Sequence, residues 1–290
     1  MSVLWGMPYL FIKVAVEGGL SPAFLSWGRL ALAAVVVVAI AARAGLLGSV
    51  RGRWRWLVLY ALAEMVVPFP LIAAGEEHVS SSLTAILIAA VPLVVAVLAL
   101  RFDPAERVSG RRLVGLLVGF GGVVVLMGLD VAGRPAEMLG AGAILLGACG
   151  YTIAAMILKA RLSDLDPRAT IAASLCVAAL ALTPLALLTP PVAAPSPEAL
   201  VSVVVLGLFC TAAALVLFVA LVNEVGPGRA TVITYVAPLV AVALGVAVLG
   251  ERPGAGAVAG LLLILAGSWL ATAGRREGAR GALPSGRNLS

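Results

Sequence analysis

The sequence predicts an all-α polytopic membrane protein: ten transmembrane helices arranged as two inverted five-helix repeats, with both termini cytoplasmic. Three observations carry this. The 290 residues are 62% hydrophobic and only 12% charged, about half the charge of a soluble domain. Such a chain cannot clothe a surface in water and must meet lipid over most of it. The basic residues fall in alternate loops, and two stretches 146 residues apart carry the same pattern. Val, Ala and Leu dominate and aromatic residues make up 6%, which suits helices rather than porin strands with their aromatic girdles.

Apolar runs bounded by charges or Gly/Pro clusters place the spans at 2–17, 22–42, 55–75, 82–100, 112–129, 138–158, 168–189, 198–222, 229–249 and 254–273. A span needs about 20 residues. The first is short, so a few residues are expected ahead of Met1, and no cleavable signal is expected there. The tail, 275–290, is polar and Gly-rich and is expected to be disordered.

With the N terminus inside, the inner loops and tail hold Arg43, Arg51, Arg53, Arg55, Arg101, Arg107, Arg111, Arg112, Lys159, Arg161, Arg168, Arg229, Arg275, Arg276, Arg280 and Arg287. The outer loops hold only Arg134 and Arg252. This asymmetry is the positive-inside signal, and it would blur if one span were added or lost. It places the chain in the cytoplasmic membrane. The net charge of +6 comes from these scattered loop residues, which form no nucleic-acid patch.

The repeat is direct. "AVPLVVAVLAL" (90–100) followed by "ERVSGRRLVGLLVGFGG" (106–122) matches "VAPLVAVALGV" (236–246) followed by "ERPGAGAVAGLLLILAG" (251–267). Pro92 matches Pro238, Glu106-Arg107 matches Glu251-Arg252, and Gly122 matches Gly267. The units are 1–129 and 130–274, five spans each. An odd number of spans puts the copies in opposite orientation, which is the plan of secondary transporters.

At these residues the sequence resembles the EamA family of the drug/metabolite transporter superfamily. The stretches that carry the resemblance are "LWG" (4–6) with Lys13 seven residues on, "GRLALAA" (28–34), "VPFPLIAAGEEHVSSSLTAILIAAVP" (67–92) and "VGPGRATVITYVAPLVAVALGVAVLGE" (225–251). The first copy departs from the pattern with "RFDPAER" where the second has "VLGER". The resemblance implies ten helices in two inverted repeats. It also implies transport of small metabolites, often amino acids and commonly outward, without a cofactor.

Lys13, Arg29 and Glu64 are the charges well inside spans. Such residues are costly in lipid, face the bundle interior and find partners. Lys13 lies about 6 Å past the centre of its span and Arg29 at about the same depth on the next, at 1.5 Å per residue. Two readings follow. In one, Lys13 or Arg29 holds a substrate carboxylate or phosphate, and Glu64 balances the other or takes a proton. In the other, Arg29 pairs with Glu64 and ties helices together, a role suited to guanidinium. Trp5, Tyr9 and Lys13 follow one another at four-residue spacing and form a stripe able to line a cavity, although Trp5 itself reads first as an interfacial anchor near the cytoplasmic surface. Tyr151 and Tyr235 are further candidates for hydroxyls in that cavity, with packing as the alternative. Pro68, Pro92 and Pro238 are candidate hinges or kinks.

Other features read plainly. Cys149, Cys176 and Cys210 lie in apolar segments without metal spacing, so buried packing is expected and no metal site is assigned. "GEEH" (75–78) reads as a solvated outer loop. The GxxxG pairs Gly115/Gly119 and Gly256/Gly260 point to close helix packing within a monomer rather than a dimer contact, so a monomer or weak homodimer is expected. No GxxxxGK[ST] loop is present, so ATP is not the expected driver. The function read from the sequence is secondary transport, as an exporter, of small metabolites such as amino acids by alternating access. A membrane-embedded enzyme, or a transporter of drugs, nucleotides or phosphorylated metabolites, is the alternative.

Overall fold

A computed structural model describes residues 1–94, 110–191, 194–225 and 232–273. Outside them lie the inner end of the fourth predicted span (95–100), the loop with Arg101 and Arg107, Arg229, and the tail. The described residues form helices and no strand.

The helices are α1 (Ser2–Gly6), α2 (Pro8–Glu17), α3 (Pro22–Arg43), α4 (Trp54–Ala61), α5 (Pro68–Glu76) and α6 (Ser81–Ile88). They continue with α7 (Arg111–Leu126), α8 (Pro135–Ile157), α9 (Pro167–Leu188), α10 (Pro197–Gly207), α11 (Ala214–Val225), α12 (Ile233–Leu249) and α13 (Ala255–Ala273). Among the described residues, six runs are long and apolar enough to cross a membrane: Pro22–Arg43, Trp54–Glu76, Leu113–Val131, Pro135–Leu162, Pro167–Leu188 and Pro197–Val225. Ser81–Val94, Ile233–Leu249 and Ala255–Ala271 are shorter apolar helices.

Helix starts follow local chemistry. Pro stands in the first turn of α2, α3, α5, α8, α9 and α10, where its missing N–H costs nothing. Ser21, Ser80 and Ser196 cap α3, α6 and α10 by accepting from Phe24 N, Leu83 N and Ala199 N. Such caps contribute about 1 kcal/mol each.

Among the described residues, four stretches widen into π-helix: Leu62–Val66, Met127–Val131, Leu158–Leu162 and Leu208–Ala213. The first precedes Pro68 and Pro70, which offer no N–H to the turn before them. The helix accommodates them by widening, with Val67 N bonding Leu62 O, five residues back. Pro92 and Pro238 differ. The helix that begins at Ser81 breaks into a turn at 89–90, just before Pro92, and resumes over 91–94. Pro238 sits inside an unbroken α12. Only the first of this matched pair interrupts its helix.

Packing joins distant parts of the chain. α7 lies on α13, α3 on α9, α5 on α8, α2 on α10, and α6 on α12. At the α7–α13 seam a Cβ on Gly122 would stand 2.9 Å from Gly260 O, and one on Gly260 would stand 2.9 Å from Gly122 O. The glycines let two backbones touch within one chain, as small residues do in membranes.

One end of the bundle, here called distal, gathers several bonds between distant loops. Ser196 N donates to Gly18 O at 3.0 Å and Ser21 Oγ to Thr189 O at 2.5 Å. Ala257 N donates to Asp130 Oδ2 at 2.5 Å, capping α13. The opposite, proximal end carries the N terminus and the contacts of Arg53 with Arg161 O and Asp164.

Candidate functional site

A cavity of about 290 Å³ lies within the bundle, at the lower edge of the ~300–1,000 Å³ usual for small-molecule sites. α1 and α2 give it Trp5, Pro8, Tyr9 and Ile12, and α3 gives Arg29. The widened stretch at 62–66 and α5 add Glu64, Met65, Phe69 and Ile72. Ile88, Ala89 and Pro92 come from the interrupted helix, Tyr151 from α8, Cys210 and Thr211 from the other widened stretch, and Thr234 and Pro238 from α12. Two π-helical stretches therefore aim side chains into the same space. Such bulges rotate side chains out of the ordinary helical register and often mark functional positions.

Arg29 is buried at 9% exposure. Its Nε donates to Thr211 Oγ1 at 2.8 Å, and its Cζ stands 4.2 Å from the centroid of the Phe69 ring. Thr211 in turn donates to Leu206 O at 2.8 Å, reaching five residues back across the π turn. A chain of donors thus fixes the guanidinium. Arg29 makes no ion pair with Glu64, so the expected Arg29–Glu64 tie is corrected. A threonine and a ring hold the arginine, and the carboxylate of Glu64 faces the cavity separately.

Of the predicted residues, Tyr9, Arg29, Glu64, Tyr151, Pro92 and Pro238 line this one cavity. Three others do not. Lys13 lies beyond its distal edge: its Nζ donates to Glu76 O at 2.6 Å and Val79 O at 3.1 Å, and it pairs with Glu17 at 3.4 Å. The stripe Trp5–Tyr9–Lys13 therefore ends, on the cavity wall, at Tyr9. Tyr235 turns to α13 and donates to Ser268 O at 3.4 Å. Pro68 packs against Gly147 and Gly150 of α8.

"GEEH" is also corrected. Glu76 is the last residue of α5 and is wholly buried, while Glu77 and His78 are exposed. Nearby, Glu251, which follows α12, caps the start of α6. Its carboxylate accepts from Ser81 N at 2.7 Å and Ser82 N at 2.9 Å, and from the Ser82 hydroxyl. An anion at a helix N-terminus meets its unpaired N–H groups and the positive end of its dipole.

The sequence reading missed Phe69, Cys210 and Thr211. The 146-residue offset that relates Pro92 to Pro238 also relates Glu64 to Cys210, and following it would have found this second wall. Among the described residues, no group of three or more His, Cys, Asp or Glu side chains could hold a metal ion.

The sequence model of the EamA-like transporter family matches residues 1–128 and residues 138–273. The chain belongs to the EamA-like transporter family. It is a multi-pass membrane protein of transporter type. An Escherichia coli (strain K12) protein named as an uncharacterized inner membrane transporter, YedA, is 26% identical over 265 residues, covering 87% of this chain and 81% of its own. Its counterpart in Escherichia coli O157:H7 matches to the same extent. A protein of known crystal structure is similar over 95% of this chain and 98% of its own, with a TM-score of 0.66 at 20% identity. At that identity the likeness shows the fold alone.

Proposed function

We propose that this EamA-like protein moves small zwitterionic metabolites, amino acids foremost, out across the cytoplasmic membrane by alternating access. One observation carries the substrate class: Arg29 and Glu64 share a cavity wall without pairing to each other. A guanidinium offers a two-pronged site for a carboxylate. Glu64 offers an acceptor for an ammonium. Trp5, Phe69 and the rings of Tyr9 and Tyr151 give an apolar body between them. A solute with both charges compensates both buried groups at once, whereas an anion alone leaves Glu64 uncompensated.

The direction and the two-repeat plan are part of the same proposal. Residues 1–129 and 130–274 act as inverted units, supported by the matched π stretches and by helices from equivalent positions lying on each other. With the N terminus inside by the loop-charge rule, the cavity faces cytoplasmic solute, and the distal contacts close the outside. The inner-membrane relatives named above accord with that membrane.

The test is exchange in proteoliposomes loaded with unlabelled amino acids and supplied with labelled ones outside. Saturable exchange is expected, and a chemically altered product without flux would overturn the reading.

A further inference from the structure

Glu76 is buried to 0% exposure, and neither of its carboxylate oxygens has a hydrogen-bond partner. The charges around it do not satisfy it. On α2, the Lys13 ammonium is spent on the backbone carbonyls of Glu76 and Val79 and on Glu17. On α3, Arg29 is spent on Thr211 and the Phe69 ring. After α12, Glu251 adds a like charge and is itself committed to the start of α6. Lys13, Glu251, Arg29 and Glu17 are the ionisable groups whose charges reach it, and Tyr9 also feels it. On the other side of α5, α8 meets it with Gly140 and Ile144, and the acid of that helix, Glu137, is paired with Arg134. His78 and Glu77 follow it in solvent.

An ionised carboxylate without a donor is among the costliest things to bury, whereas the neutral acid is far cheaper. The position matters as much as the burial. Glu76 ends α5 where α2 packs on it through Lys13, beside the start of α6 that Glu251 caps, one turn beyond Ile72 of the cavity wall. We propose that Glu76 is a proton-binding site that latches the distal end: the protonated acid is the occupant of the closed seam, and its ionisation opens it. When the O–H bond breaks, the proton passes to distal water and the electron pair stays on the carboxylate. The Lys13 ammonium, leaving the carbonyls of Glu76 and Val79, becomes its partner. This deepens the transport reading and rests on it, because the latch gates the same cavity.

The test reads opening without any solute. A Val79→Cys reporter is placed in a background with Cys149, Cys176 and Cys210 changed to Ala. Its rate of reaction with a membrane-impermeant maleimide is followed from about pH 6 to about pH 9, with and without Glu76→Gln. The Gln variant supplies the pH dependence of the thiol itself. The latch predicts an excess rise in the parent of up to ten-fold per pH unit, the limit for one linked proton, and its loss in Glu76→Gln. Glu76→Asp, which still titrates, restores the excess and shows that loss in the Gln variant is not misfolding. Equal pH profiles for parent and Gln variant overturn the proposal. If exchange of amino acids is seen but the excess is not, the latch alone fails. If the excess is seen without exchange, the transport reading fails and Glu76 stands as a proton site.

Discussion

Arg29 and Thr211, 182 residues apart, are joined by a hydrogen bond of 2.8 Å from Nε to Oγ1. The bond ties α3 to the widened stretch at 208–213, and the proposal assigns the NH1 and NH2 edge of the guanidinium to the solute. Thr211→Val keeps the shape and removes the acceptor. One neutral-to-charged bond of this kind contributes about 1.5 kcal/mol. The half-saturation concentration for amino-acid exchange is therefore expected to rise about ten-fold, with the thermal midpoint little changed. A large loss of stability at unchanged half-saturation would show that Thr211 supports the fold and not the ligand.

Glu64 is expected to read the ammonium. Glu64→Gln should weaken exchange of a zwitterionic amino acid and leave competition by its N-acetyl derivative unaffected, since that derivative has no ammonium to lose. Equal effects on both competitors would remove Glu64 from ammonium recognition.

Lys13 is expected to behave as a tether. Lys13→Met removes donors to the carbonyls of Glu76 and Val79, a loss of about 1–3 kcal/mol for buried acceptors left unpaired. A fall in the thermal midpoint of about 2–4 °C per kcal/mol is expected, measured in detergent, with the half-saturation concentration held within about two-fold. A large rise in half-saturation at unchanged midpoint would return Lys13 to the substrate.

The α7–α13 seam separates two neighbouring glycines. A Cβ on Gly122 meets backbone at 2.9 Å, and one on Gly121 meets nothing within 4 Å. Gly122→Ala is expected to destabilise by about 1–3 kcal/mol, whereas Gly121→Ala should stabilise by up to about 1 kcal/mol through helix propensity. Thermal unfolding of the two variants decides, and equal effects would contradict the close approach.

At the proximal end, Asp166 accepts from Arg168 N at 2.8 Å, and the guanidinium hydrogen bond from Arg168 holds its carboxyl below the usual range. Its cap on α9 is then fully present above about pH 4, the ordinary value, and is lost as pH falls through the lower folded value. Asp166→Asn should lower the thermal midpoint near neutrality, with the difference from the parent shrinking in acid. A difference independent of pH would mean that the carboxylate charge plays no part.

Much of this architecture was legible in the residues. The scarcity of charge and the long apolar runs announced a bundle of membrane-crossing helices. Tyr9, Arg29, Glu64 and Tyr151 meet at one cavity because buried polar groups in a bundle have few places to go. What could not be read were directions and backbone partners. Lys13 bonds to carbonyls, which leave no mark in side-chain patterns. Tyr235 and Thr234 are adjacent in sequence, yet the rotation of α12 sends one to Ser268 and the other to the cavity. Glu76 closes an apolar run and is followed by Glu77 and His78, so it resembles loop. The packing of α2, α6 and α8 around the end of α5 buries it. The π widening at 62–66 was invisible too, because prolines announce a disturbance but not its form.

The most direct test of the account is the concentration dependence of amino-acid exchange in proteoliposomes by the parent protein and by Arg29→Ala, each shown to be folded by its thermal midpoint. Removing a charge-assisted contact of about 1.5–3 kcal/mol predicts a half-saturation concentration about ten- to a hundred-fold higher. Saturable exchange with the same half-saturation concentration in both proteins would contradict the placement of the solute carboxylate at Arg29.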